Sequence, residues 1–336
     1  PHRPNRCGGD PKLRPVLNGV ALVALLSAAT LAPAPAAQTC RDVAIPVTMP
    51  VAGRQTVAGS LCWAGDKPAP TVQILLAGAT YNRSYWDFPY QPETYSYVRR
   101  ATAAGYTTLA LDRPGTGASS RPAGALLTNA TEASAVHQVV NAARLGTFGT
   151  AFTRVLLAGH SYGSVVAWHE AATYADVDAL LITGMAHEVQ PAAAVPVATS
   201  LVPASLDPTY LTTRPGTRAV FWHGPHDDPA VIAADEAAKD TVTTSELADT
   251  LVAQGSSITD DIAVPVLVAE GQQDLAYAAA LHTEAAHYPK APCVDTYELS
   301  DAGHDLNLAP HAQDWSAKAV QWADRVLGTT GAPPHC

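Results

Sequence analysis

Six short apolar runs, separated by stretches with helical patterning, constrain this chain more than any other feature. They fall at residues 71–77, 106–111, 155–159, 178–183, 264–269 and 294–299. Such runs are too short for ordinary helices, and apolar stretches of this length read as strands buried between two layers. Helical patterning fills 92–104, 131–145, 164–174, 276–287 and 311–327 between and after them. Strands that alternate with helices pair in parallel, with helices covering both faces of the sheet. The expected class is therefore α/β, with a mostly parallel central sheet.

Two further stretches, 43–49 and 57–63, alternate in hydropathy around a turn containing Gly53, which predicts an antiparallel hairpin at one edge. The alternation stops between 186 and 261. That segment is rich in Pro, Thr and Asp, has short helical stretches at 230–239 and 245–254, and shows no buried strand. We read it as a largely helical cap or lid inserted into a core made of 38–185 and 262–336. In open parallel sheets ligands bind beyond the carboxyl ends of the strands. The loops after Ala77, Leu111, Gly159, Thr183, Ala269 and Leu299 are thus expected to converge.

One of these loops is chemically distinctive. The run at 155–159 ends in Gly159-His160-Ser161-Tyr162-Gly163, and a helix follows. Glycines on both sides of a serine allow a turn too tight for side chains. The turn lifts the Ser161 hydroxyl to the end of the sheet, beside the positive end of the next helix. An unassisted hydroxyl is a poor nucleophile and needs a base. His304 follows the last strand on a loop with Gly303, and Asp274 follows the preceding strand. An imidazole between that serine and that carboxylate completes an acyl-transfer constellation. Asp301, Asp305 and Glu188 are the competing acids, and Asp274 is preferred by its loop.

The order Ser161, Asp274, His304 and the motifs around it resemble the α/β-hydrolase superfamily across nearly the whole chain after the leader. The matching pieces are Gly-His-Ser-Tyr-Gly, the loop from Asp112-Arg113-Pro114-Gly115 to Ser119, Gly271-x-x-Asp274 and Ala302-Gly303-His304. The resemblance implies an α/β-hydrolase fold and a secreted bacterial serine hydrolase of esterase or lipase type, with Ser161 as nucleophile, His304 as base and Asp274 as acid. It implies an oxyanion hole from the Tyr162 N–H and an N–H after the third strand, at Ala79 or, failing that, Thr80. Two departures stand out. Ala77-Gly78 replaces the usual His-Gly, and Ser164 replaces a glycine common in lipase-like elbows. Tyr81, Trp86, His160 and Met185 are the candidate lining of a substrate pocket. Asp112 and Arg113 read as structural.

Esters or lactones with moderately apolar acyl groups fit best. Peptidase or amidase, acyltransfer, perhydrolase and C–C hydrolysis chemistry could use the same elbow, and a non-catalytic binding protein could retain it. With a net charge of −10 and no basic run after the N-terminus, nucleic acid and anionic membranes are poor partners. No cofactor or metal is expected. The His223-Gly224-Pro225-His226-Asp227-Asp228 stretch carries ligand types but reads as a cap loop.

The N-terminus carries five basic residues or histidines before an apolar run from 16 to 31, and Ala34-Pro35-Ala36 offers small residues for cleavage. This predicts a signal peptide at 1–37 and export, without a stable membrane anchor. Cys7 would leave with it. The remaining four cysteines allow three pairings. The hairpin favours Cys40–Cys62, leaving Cys293–Cys336.

Overall fold

The computed structural model describes residues 37–328 and 335–336. The segment 1–37 expected to be a signal peptide, including Cys7, lies outside the described residues but for position 37. The chain first forms an antiparallel hairpin, β1 (Gln38–Met49) and β2 (Gly53–Ala64), and then β3 (Thr71–Leu76). A broken helix, α1 (Pro92–Tyr95) and α2 (Tyr97–Ala103), leads to β4 (Thr107–Leu111). Next come α3 (Asn129–Arg144), β5 (Arg154–His160), α4 (Tyr162–Tyr174) and β6 (Ala179–Thr183).

After β6 the chain builds α5 (Ala194–Ser200), β7 (Leu201–Pro203), β8 (Tyr210–Thr213), α6 (Arg218–Phe221) and α7 (Pro229–Ala238). It continues with β9 (Val242–Thr243) and α8 (Thr244–Gln254). Then β10 (Val266–Gly271), α9 (Leu281–Glu284), β11 (Val294–Leu299) and α10 (Ala312–Leu327) follow.

Eight strands form one sheet in the order β1-β2-β4-β3-β5-β6-β10-β11. From β4 to β11 every pairing is parallel, and only the hairpin runs against its neighbour, at one edge. The central strands β3, β4 and β6 are buried along their whole length, so continuous apolar sequence is what two covered faces require. The helices flank the sheet in pairs, α3 against α4 and α2 against α10. Hydrophobic side chains from strands and helices merge into one continuous core.

Three local readings are corrected. The helix expected over 92–104 breaks at Ser96, whose Oγ accepts from Arg99 N (3.0 Å) and donates to Asp87 (2.6 Å). A capping side chain in mid-segment starts a new helix rather than continuing the old one. The helix expected over 276–287 opens as turns over 276–280 and becomes helical only in the short α9 and a 3₁₀ stretch after it. Asp274 Oδ1 draws the N–H groups of Ala276 (2.7 Å) and Tyr277 (3.3 Å) to itself and holds the chain in a turn. The segment 186–261 is not strandless, because β7, β8 and β9 pair into a small antiparallel sheet. Strands of two to four residues are too short to leave a period in the sequence.

The cysteines pair as Cys40–Cys62, directly opposite across β1 and β2, and Cys293–Cys336. No helix among the described residues is long and apolar enough to cross a membrane.

Candidate active site

The turn from β5 into α4 is made by its glycines. A Cβ on Gly159 would collide with the backbone of Ser164, and one on Gly163 with the carbonyl of Leu76. Between them Ser161 adopts φ 51° and ψ −121°, a conformation that non-glycine residues rarely take and that costs of order 1–3 kcal/mol. The hydrogen bond from Ser161 N to Thr183 O (2.7 Å) helps hold it there. Ser164 adds a tie of its own, its Oγ donating to Thr183 O at 3.1 Å.

The structure brings Ser161, His304 and Asp274 together. Ser161 Oγ lies 2.9 Å from His304 Nε2, and His304 Nδ1 lies 2.8 Å from Asp274 Oδ2. The carboxylate accepts at Nδ1, which leaves Nε2 to accept from the serine hydroxyl. Burial works against a charged imidazole, but the adjoining Asp274 carboxylate prevails and raises the pKa of His304 above its ordinary value. Of the competing acids, Asp301 is half exposed beside His226 and His311, and Asp305 binds His160 and Tyr81 instead.

Tyr162 and Ala79 line the same cavity as Ser161, and among the described residues neither N–H is committed elsewhere. Tyr162 is the first residue of α4, where an N–H has no intrahelical acceptor. Ala79 N–H donates to no protein acceptor among the described residues, whereas Thr80 N–H is committed to Thr241 O at 3.2 Å. That removes Thr80 as the alternative donor. Behind both groups lies Arg113, fully buried. Its Nε donates to Ala77 O (2.8 Å) and a terminal nitrogen to Gly78 O (3.2 Å). In a trans peptide C=O and N–H point opposite ways, so holding the Gly78 carbonyl aims the Ala79 N–H. The same guanidinium lies 4.6 Å from the Tyr162 ring centroid and bonds Glu132 (2.9 Å) and Glu246. Tyr162 OH donates to Glu132 at 2.9 Å. Burial pushes the Glu132 carboxyl up to about 8 against the opposing pull of Arg113. Arg113 stands in a recognised motif, but its partners lie 19 and 133 residues away, beyond the reach of any local pattern.

A cavity of about 380 Å³ opens on Ser161 and His304. Among the described residues, no Asp, Glu, Lys or Arg lines it. Of the four residues expected to line a pocket, Met185 lies in this wall, and Tyr81, Trp86 and His160 do not. Those three are turned into the interior. Tyr81 OH donates to Asp235 (3.1 Å) and Asp305, and Trp86 packs edge-on against Tyr97. His160 donates from Nε2 to Asp305 (3.0 Å) under the stacked ring of Tyr85. Burial holds His160 below the ordinary histidine pKa. The wall comes instead from Val197, Leu201, Phe221, Trp222 and Leu251. The Phe221-Trp222 doublet is the one local signal that could have marked this lining.

The loop at 223–228 does not gather its four ligand-type residues at one point. His226 is largely exposed, and Asp228 caps α7 by accepting from Ala230 N. His223 is buried between Asp227 (2.7 Å) and Asp235 (3.0 Å). Asp235 also binds Arg218, which reaches Thr80 Oγ1 (3.0 Å) and packs over Tyr81 (4.3 Å). Burial disfavours charge on His223, yet Asp227 and Asp235 raise its pKa from 6.5 to about 9. The folded form therefore holds this proton more tightly than the unfolded chain. The stabilisation is complete below about pH 6.5 and is lost as pH rises through about 9. Urea midpoints measured across that window should fall for the wild type, and His223→Gln should flatten this part of the profile.

The sequence model of the alpha/beta hydrolase family matches residues 73–315. Among solved structures, an esterase from Exiguobacterium antarcticum superposes with a TM-score of 0.61 at 14% identity, covering 84% of this chain and 100% of that one. An esterase from Thermogutta terrifontis gives 0.56 at 17% identity, covering 83% and 97%. The enol-lactonase from Burkholderia xenovorans LB400 gives 0.52 at 18%, covering 80% and 96%. At such identities the likeness shows the fold. No curated protein sequence matches the chain.

Proposed function

This chain belongs to the alpha/beta hydrolase family, and on that premise we propose that it is a serine hydrolase cleaving carboxylic esters or lactones with uncharged, apolar acyl groups. The observation that carries this reading is the unbroken hydrogen-bonded chain from Ser161 through His304 to Asp274 at the floor of an apolar cavity. Ser161 Oγ attacks the carbonyl carbon while His304 Nε2 takes its proton, and Asp274 holds the imidazole and offsets its positive charge. The N–H groups of Tyr162 and Ala79 receive the oxyanion, a contribution of about 2.7–4 kcal/mol for one such donor. His304 returns the proton to the leaving alcohol. Water, deprotonated by the same imidazole, then releases the acid from the acyl-enzyme.

The segment 186–261 serves as a cap in this reading, since it supplies most of the cavity wall. Its lining bears on substrate class. A cavity of roughly 150 Å³ holds benzene, so the space here suits acyl groups of roughly four to eight carbons. A carboxylate on the acyl group would be desolvated without a cation to meet it. The apolar leader and two disulfides support export of the enzyme.

A serine-directed fluorophosphonate should add once to the wild type and not to Ser161→Ala, read by intact mass. Failure to label the wild type, or equal labelling of the variant, would remove Ser161 as nucleophile. His304→Ala should lower kcat by about 10⁴-fold or more. Catalysis needs a neutral His304, so kcat/KM should fall toward acid with a midpoint above 6.5. Across neutral esters of graded chain length and a hemisuccinate ester, the anionic substrate should be slower by about tenfold or more. Equal rates would overturn the assignment of substrate class while leaving that of the nucleophile intact.

A further inference from the structure

Three clusters of histidine and carboxylate side chains occur among the described residues, and their hydrogen bonds tell them apart. In the His223, Asp235 and Asp305 cluster the carboxylates accept from Arg218, Tyr81, His160 and His223, and Arg218 supplies positive charge. In the His187, Glu284 and His287 cluster both Glu284 oxygens accept, from His187 Nδ1 (2.8 Å), Tyr288 OH (3.2 Å) and His187 N (3.0 Å). The second ring nitrogen of His187 meets Thr259 Oγ1 at 3.0 Å. These two clusters satisfy themselves.

The third does not. His137 of α3, Glu170 of α4 and Asp176 just beyond α4 each present a ligand atom within 4.8 Å of the others. Glu170 is fully buried, and neither of its oxygens accepts a hydrogen bond from a protein N–H or O–H. Asp176 Oδ1 is buried in the same condition. Arg144 does not answer them, because it donates to the Asp176 carbonyl (3.0 Å from Nε) and to Asp178 Oδ2 (2.8 Å). Asp176 Oδ2 is met by His137 Nδ1 at 2.7 Å, but the other three carboxyl oxygens lie out of water with no N–H or O–H of another residue facing them. This costly arrangement shows as a Glu170 carboxyl pushed up to about 10 by burial and by the adjoining Asp176.

The surroundings suit a cation. The site lies at the carboxyl end of α4, where the helix dipole is negative. Tyr174 stacks on His137 at 3.9 Å and fixes the ring plane. The Asn141 amide lies 2.9 Å from His137 Nε2. Its nitrogen donates to Nε2, so the Nδ1–H of His137 points at Asp176 Oδ2 (2.7 Å), and an entering cation takes the place of that proton. The His137 and Asp176 side chains are 28% and 20% exposed, which leaves an entry path and room for a water ligand.

We propose that His137, Glu170 and Asp176 bind one divalent metal ion of the zinc class, which fastens the end of α4 to α3. One imidazole with two carboxylates is a borderline donor set, favouring zinc over the all-oxygen preference of calcium. Glu170 stands nine residues beyond Ser161, roughly 13 Å along the helix, so the ion acts on stability rather than on the acyl chemistry.

The test uses tag-free protein stripped with EDTA. Equilibrium dialysis against Zn²⁺ should retain one ion per chain, and the Tm should rise by about 5 °C at a hundredfold excess over Kd. Ca²⁺ at the same concentration should give no rise. Glu170→Gln, nearly isosteric, and His137→Ala, at a partly exposed position, should each abolish the response while keeping the wild-type circular dichroism. A wild type indifferent to zinc, with Glu170→Gln equally stable or more so, would mean that the two carboxyls share a proton, and would overturn the site. A zinc response surviving in both variants, or an equal response to calcium, would overturn it too.

Discussion

The buried guanidinium of Arg113 is the interaction on which the arrangement around Ser161 depends. Burying a guanidinium beside two carboxyls costs several kcal/mol per charged group and is offset only by close, complete pairing. Here the pairing is spread over four parts of the chain. Glu132 comes from the first turn of α3, Glu246 from the first turn of α8, the two carbonyls from the loop after β3, and the Tyr162 ring from the start of α4. Glu246 also closes the capping box of α8 with Thr243. One charge thus sets the position of the elbow helix, the backbone facing it and the segment above it at once. Arg218 does similar work from the other side, joining α6 and α7 to Thr80 and Tyr81.

How much of this could be read from sequence follows from the range of each interaction. Ser161 was legible because the glycine spacing, the strand and the helix are all local. His304 and Asp274 were legible because strand order brings consecutive strand ends together. Tyr81, Trp86 and His160 were misassigned for a physical reason. An aromatic loop near Ser161 looks like a pocket wall, but buried hydrogen bonds to Asp235 and Asp305 turn Tyr81 and His160 inward. Nothing local reveals a partner 154 or 224 residues away. The strands β7 to β9 and the turn after Asp274 were missed because they are shorter than any hydrophobic period.

The same contrast explains why fold and specificity separate. The sheet and its motifs carry the family likeness across residues 73–315. The cavity wall is drawn mostly from the segment after β6, where the alternation lapses and no motif guides the eye. Its chemistry is set by side chains such as Leu201, Phe221 and Leu251, exchangeable in size without disturbing the sheet below.

The disulfides acquire a meaning from the strand order. The two outermost strands of the sheet are β1 and β11. Cys40 lies in β1 and is bonded across to β2, while Cys293 immediately precedes β11 and is bonded to Cys336. Unpaired backbone along a sheet margin is a template on which another molecule can add its own strand, the first step toward aggregation. Fraying at a margin exposes more of that template. Covalent fastening stands at both rims, the two places where this sheet could recruit a neighbour.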